Sequence, residues 1–121
     1  PALSDEDVDA FAELLHDVDV ASAAGDVETL TAANRRFHFA IFDAAGLPRL
    51  SRLLRQLWDA TDDYRSLYFA STVNRARVDR EHAAMLAALR RRDAERVIRL
   101  HDEHRRRSVA AVRAQLEQEQ P

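Results

Sequence analysis

The chain of 121 residues has no cysteine, two glycines, three prolines and one tryptophan. Without cysteine it can form no disulfide and offers no thiolate ligand, which fits a reducing compartment. So few glycines and prolines give a helical composition, and no Asn-Gly or Asp-Gly pair marks a β-hairpin. No segment alternates with period two. No apolar run approaches the ~20 residues of a membrane span, and no signal-peptide pattern opens the chain. The first residue is Pro1, not Met, as in a processed product or a fragment of something longer.

Lysine is absent too, so all 18 basic side chains are arginine. We read this as genomic base composition rather than function. The net charge of −3 argues against a general nucleic-acid binder, which needs a concentrated basic surface. The arginine runs at 90–92 and 105–107 are flanked by Asp93, Glu95, Asp102 and Glu103, and read as solvated helix ends or faces.

What is present is 46% hydrophobic and 32% charged residues, enough for one domain with a real core. Punctuation and period predict five helices. Ser4 with Asp7 resembles a capping box, followed at helical spacing by Val8, Phe11, Leu15 and Val18. Gly25 stops that helix and Asp26 caps a second, which runs to about Ala45. Gly46 and Pro48 separate it from a third, carrying Leu50, Leu53, Leu54 and Leu57 and running to about Phe69. Ser71 and Thr72 interrupt the chain before a fourth helix with Val78, Met85, Leu86 and Leu89. Asp93 caps a fifth with Val97, Ile98, Leu100, Val109, Val112 and Leu116, whose tail QEQP is expected to fray. Short connections make sequential helices antiparallel. The expected fold is all-α, a single antiparallel bundle occupying residues 1–121.

Polar residues sit inside these apolar stripes. In AANRRFHFAIF, residues 32–42, Phe37, Ile41 and Phe42 read as core. At about 100° per residue, Asn34 and His38 fall within about 20° of the stripe centre. His82 lies inside the stripe of the fourth helix, and His101 and His104 inside that of the fifth. The inward face of the third helix turns polar along Thr61, Tyr64, Arg65 and Tyr68, and Arg75 lies on the His82 side of the fourth. Three inward histidines on three helices, one with a partner four residues away, fit a metal site, since neutral imidazole is the commonest metal ligand. They fit a hydrogen-bonded polar core as well, and the period does not choose between His101 and His104.

The stretches GDVETLTAANRRFHFAIFDAAGLPRLSRLLRQLW and REHAAMLAALRRRDAERVIRLHDEH resemble the FCD domain, the effector-sensing C-terminal domain of FadR-type GntR transcriptional regulators. The family pattern D-x-x-x-H, then EH..I..AI...D...A, then a further His, here reads Asn34–His38, Glu81–His82 with Leu86, Leu89 and Asp93, and His104. The resemblance spans about residues 8–112. It implies an antiparallel bundle, with six or seven helices in the family, and a cytoplasmic homodimer. It implies a divalent metal held by Asn34, His38, His82 and His104, zinc first, with nickel, manganese, iron or cobalt also suited. The implied effector is a small organic acid, and the operator DNA is bound by a winged-helix domain. That domain and the first bundle helix of the family have no counterpart in this sequence. Asn34 stands where the family more usually has Asp, which weakens metal binding and favours an anionic co-ligand.

For the effector, Arg65 and Arg75 offer planar donor forks, and Thr61, Tyr64 and Tyr68 offer hydroxyls. The arginines can equally reach solvent or pair with Asp62, Asp63 or Asp79. The expected class is a regulator, not an enzyme. The alternatives are a mononuclear metalloenzyme, for which Glu81 is the nearest acid–base candidate, and a metal-free helical interaction module. A diiron carboxylate site would need two E-x-x-H motifs, and the nearest match is a single Asp79-x-x-His82.

Overall fold

A computed structural model describes residues 3–119. The described chain forms five helices, α1 (Asp5–Ala24), α2 (Val27–Ala44), α3 (Pro48–Phe69), α4 (Thr72–Arg90) and α5 (Ala94–Glu119). Of the QEQP tail expected to fray, α5 continues to Glu119, and residues 120–121 lie outside the described part.

The helix ends follow from local chemistry. Ser4 and Asp7 exchange side-chain and backbone hydrogen bonds of 3.0 Å in a complete capping box. Gly25 closes α1 at φ 68°, a left-handed conformation with little steric cost only for glycine. Asp26 accepts from the Thr29 backbone, Ser71 from that of Asn74 and Asp93 from that of Arg96, so each starts its helix. Pro48 occupies the first turn of α3, where its missing N–H is not needed. Gly46 takes φ 73° just before it.

Each short connection folds the next helix back on the last. The core forms chiefly among α1, α2 and α4: Val8, Phe11, Leu15 and Val18 meet Leu30, Ala33 and Phe37, and then Val78, Met85, Leu86 and Leu89. Tyr68 and Phe69 close it from the end of α3. Ile41 and Phe42, expected in the core, are only half-buried. The leucine stripe of α3 is not core: Leu50, Leu53 and Leu57 are about half exposed, as is Val109 of α5, and Ile98 of α5 is more exposed still. The physical reason is position. α3 and α5 flank the bundle and leave a cleft between them, so apolar side chains there face a cavity or solvent. No described helix is long and apolar enough to cross a membrane.

The arginine run at 90–92 is not simply solvated. Arg92 adopts φ 56° and reaches Leu3 O at 3.2 Å and Asp5 at 2.7 Å, tying the end of α4 to the start of α1. At 105–107, Arg105 and Arg106 pair with Asp102, whereas Arg107 turns to Glu81.

A buried imidazole cluster at the floor of a cavity

The helical register of α2, α4 and α5 delivers His38, His82 and His104 to one point. All three are buried, and one potential ligand atom from each lies within 4.8 Å of the others. The Nε2 atoms of His38 and His82 are 3.1 Å apart. Two imidazole nitrogens held 2.0–2.1 Å from one tetrahedral ion are spaced at about 3.3 Å, so this approach matches a shared ion as closely as a hydrogen bond. Phe37 packs against both rings, with centroids 5.3 and 5.1 Å away, and limits their tilt.

Burial drives His38 and His82 well below the usual imidazole range, helped by the neighbouring rings. Both are therefore neutral, the form in which histidine binds a metal. The Nδ1 atoms of both rings are buried without partners. Asn34, one turn before His38, is buried as well, and its Oδ1 has no partner. An unpaired buried amide oxygen is costly and is a competent hard donor. Three imidazoles and one amide oxygen could therefore hold a divalent transition metal.

His104 is fixed by a residue for which the sequence indicated a different role. Glu81 Oε1 accepts from His104 Nδ1 at 2.9 Å, and Glu81 Oε2 accepts from Arg107 at 2.8 Å. Burial alone would raise the Glu81 carboxyl, but hydrogen bonds from His104 and Arg107 outweigh it and hold it below its usual range. With Nδ1–H so engaged, Nε2 is the His104 nitrogen that faces away from Glu81 and could serve as a ligand. A carboxylate behind a histidine in this way fixes the tautomer and strengthens the ring as a donor. Helix period could not reveal this pair, since the two residues sit on different helices. Asp79, the remaining acidic neighbour on α4, bonds Ser22 of α1 at 2.8 Å.

The cluster forms the floor of a cavity of about 800 Å³ between α3 and α5. Asn34, His38, His101 and His104 line its base, and apolar residues of α3 and α5 form most of its walls. His101 lies outside the three-imidazole cluster; it stacks on Phe42 at 5.3 Å, and burial lowers its pKa to about 4. Thr61, Tyr64, Arg65 and Tyr68 all line the cavity. The Arg65 guanidinium lies 3.8 Å from the Trp58 ring centroid, donates to Trp58 O at 3.0 Å and faces Asp62 at 3.6 Å. Burial pulls its pKa down to about 10, which leaves it cationic at neutral pH.

The hydroxyl of Thr61 donates to Leu57 O at 2.9 Å, so it can accept from a ligand but has no free proton to give. Tyr68 Oη accepts from Arg77 and keeps its proton available. Arg75 lies apart from the cavity lining. It donates to Phe69 O at 2.7 Å and Ala70 O at 3.3 Å, satisfying the carbonyls that end α3. Trp58, which the sequence reading did not place in the site, lines the cavity with its Nε1–H buried and unpaired.

Comparison with known proteins agrees with this architecture. The FCD domain model matches residues 1–107. The HTH-type transcriptional regulator McbR of Escherichia coli (strain K12) is 32% identical over 97 residues, covering 77% of this chain and 43% of that protein. The chain thus spans less than half the length of this curated relative. No solved structure matches it significantly. Helical order, imidazole cluster and sequence match converge, and the chain belongs to the FCD domain family.

Proposed function

We propose that this chain is the metal-dependent sensing and dimerisation domain of a GntR/FadR-type transcriptional regulator. Asn34, His38, His82 and His104 hold a divalent ion, zinc first. A small organic acid binds above it in the cavity, and its binding alters how a homodimer presents winged-helix domains to operator DNA. The observation that carries the reading is the meeting of three buried imidazoles beside an unpaired amide oxygen at the base of a cavity. Arg65 supports the acid, as a cation in the cavity wall. The relative, named as an HTH-type transcriptional regulator, supports the regulatory role.

Glu81, the nearest acid–base candidate for a metalloenzyme, is committed to His104 and Arg107, which favours sensing over catalysis. The metal, when bound, supplies a Lewis-acidic point for an oxygen ligand. The protein supplies the rest: Glu81 orients His104, Phe37 restrains two rings, and Arg65 offers a cationic wall.

Elemental analysis and native mass spectrometry of the purified chain test this reading. One divalent ion per protomer and a dimer are expected in the wild type, with stoichiometric metal lost from His38→Ala and His82→Ala. Wild-type protein that takes up no stoichiometric ion after incubation with zinc, and gains no thermal stability from it, would identify a metal-free interaction module instead.

A further inference from the structure

The charges around the imidazole cluster do not balance a divalent ion. Asn34 is uncharged, and an imidazole ligates a metal in its neutral form, so His38, His82 and His104 would bring no charge to an ion. Two carboxylates near the cluster already have cationic partners. Glu81 is paired with Arg107, and Asp102 with Arg105 and Arg106. An ion at the cluster would therefore be a buried double positive charge with no matched anion, a costly arrangement in a low-dielectric site. On the cavity side, two further features favour an anion. Arg65 is a partly desolvated cation, and the Trp58 indole N–H is buried without an acceptor. Both residues line the same cavity as Asn34, His38 and His104.

We propose that the centre takes up its metal and an anion as a coupled pair, each bound weakly alone and tightly with the other, and that Asn34 sets the strength of this coupling. The inference rests on the metal reading above. Linkage requires the coupling to be reciprocal, so the anion improves metal affinity by the same factor as the metal improves anion affinity. An aspartate at position 34 would supply one of the missing charges from within the protein and reduce the need for an external one.

The test is a zinc titration against a chromophoric chelator in buffer free of carboxylates, with and without acetate, corrected for zinc–acetate complexes. Wild type and Asn34→Asp are compared. Acetate is expected to tighten zinc binding to the wild type by tenfold or more. Without acetate, Asn34→Asp should bind zinc at least tenfold tighter than the wild type, and its own acetate effect should fall below threefold. The wild-type arms decide the coupling even if the variant folds poorly. Wild-type zinc affinity that ignores acetate, or an equal acetate effect in both proteins, overturns the coupling while leaving the metal reading in place. Absence of stoichiometric zinc from both proteins in every buffer overturns the metal reading, and the coupling with it.

Discussion

At the scale of single residues, Glu81 is the clearest case of a side chain that acts through another. It touches no candidate ligand position in the cavity but holds His104 by Nδ1. Replacing it with glutamine keeps the shape and removes the charge, so Glu81→Gln should weaken zinc binding by roughly 10- to 100-fold. Competition titration would show this, with far-UV circular dichroism unchanged. An affinity within twofold of the wild type would mean that the contact is only structural. Phe37 carries the packing side of the same site. It is fully buried against both facing imidazoles, so Phe37→Ala should cost about 3–5 kcal/mol in urea unfolding. The sequence displayed Asn34, His38, His82 and His104 as inward residues because helical period reports which face a residue occupies. It could not display Glu81 with His104, because period says nothing of pairs on different helices; Trp58 and Arg65, seven residues apart on α3, do share a helical face, and the apolar look of Trp58 hid its place in the cavity.

At the scale of elements, the stops and caps were the most legible features, being local chemistry within four residues. The turn at Gly25 shows why. Its φ of 68° is costly for any residue with a Cβ, although the nearest atom such a Cβ would meet is Arg75 Nη2 at 3.8 Å, so space is not limiting. Gly25→Ala should therefore lower stability by about 1–2 kcal/mol through backbone strain alone, read from the shift in the urea midpoint. No loss would show that the turn relaxes. The α3 stripe was misleading for the opposite reason. Leu50, Leu53 and Leu57 have the spacing of a core face, yet a stripe records only that a helix has an apolar side. Whether another element covers that side depends on tertiary placement, and α3 lies at the edge of the cleft.

At the scale of the whole molecule, the buried histidines set the acid sensitivity of the metal-free fold. His38 and His82 are held well below the usual imidazole range, and His101 at about 4. Below about pH 6.5 the unfolded chain takes up protons that the folded chain refuses, so stability falls as pH drops through this window. Asp19 and Asp79, raised by burial, act in the opposite direction nearer the carboxylate range. The metal-free protein in EDTA should therefore melt several degrees lower at pH 5 than at pH 7.5, whereas a flat melting temperature would contradict the neutral burial of these rings. The helix origins of the imidazoles also bear on the unfolded chain. His38 and His82 are 44 residues apart, and His104 lies on a third helix. A shared ion would close long loops in a chain that has no cysteine to do so, acting as a removable cross-link whose effect is felt mainly as lost freedom of the denatured state. Among the described helices α1 and α3 supply no imidazole to that cross-link, so the cavity wall carrying Trp58 and Arg65 would be joined to it only through side-chain packing and ion pairs, with the Trp58 and His38 ring centroids 5.5 Å apart.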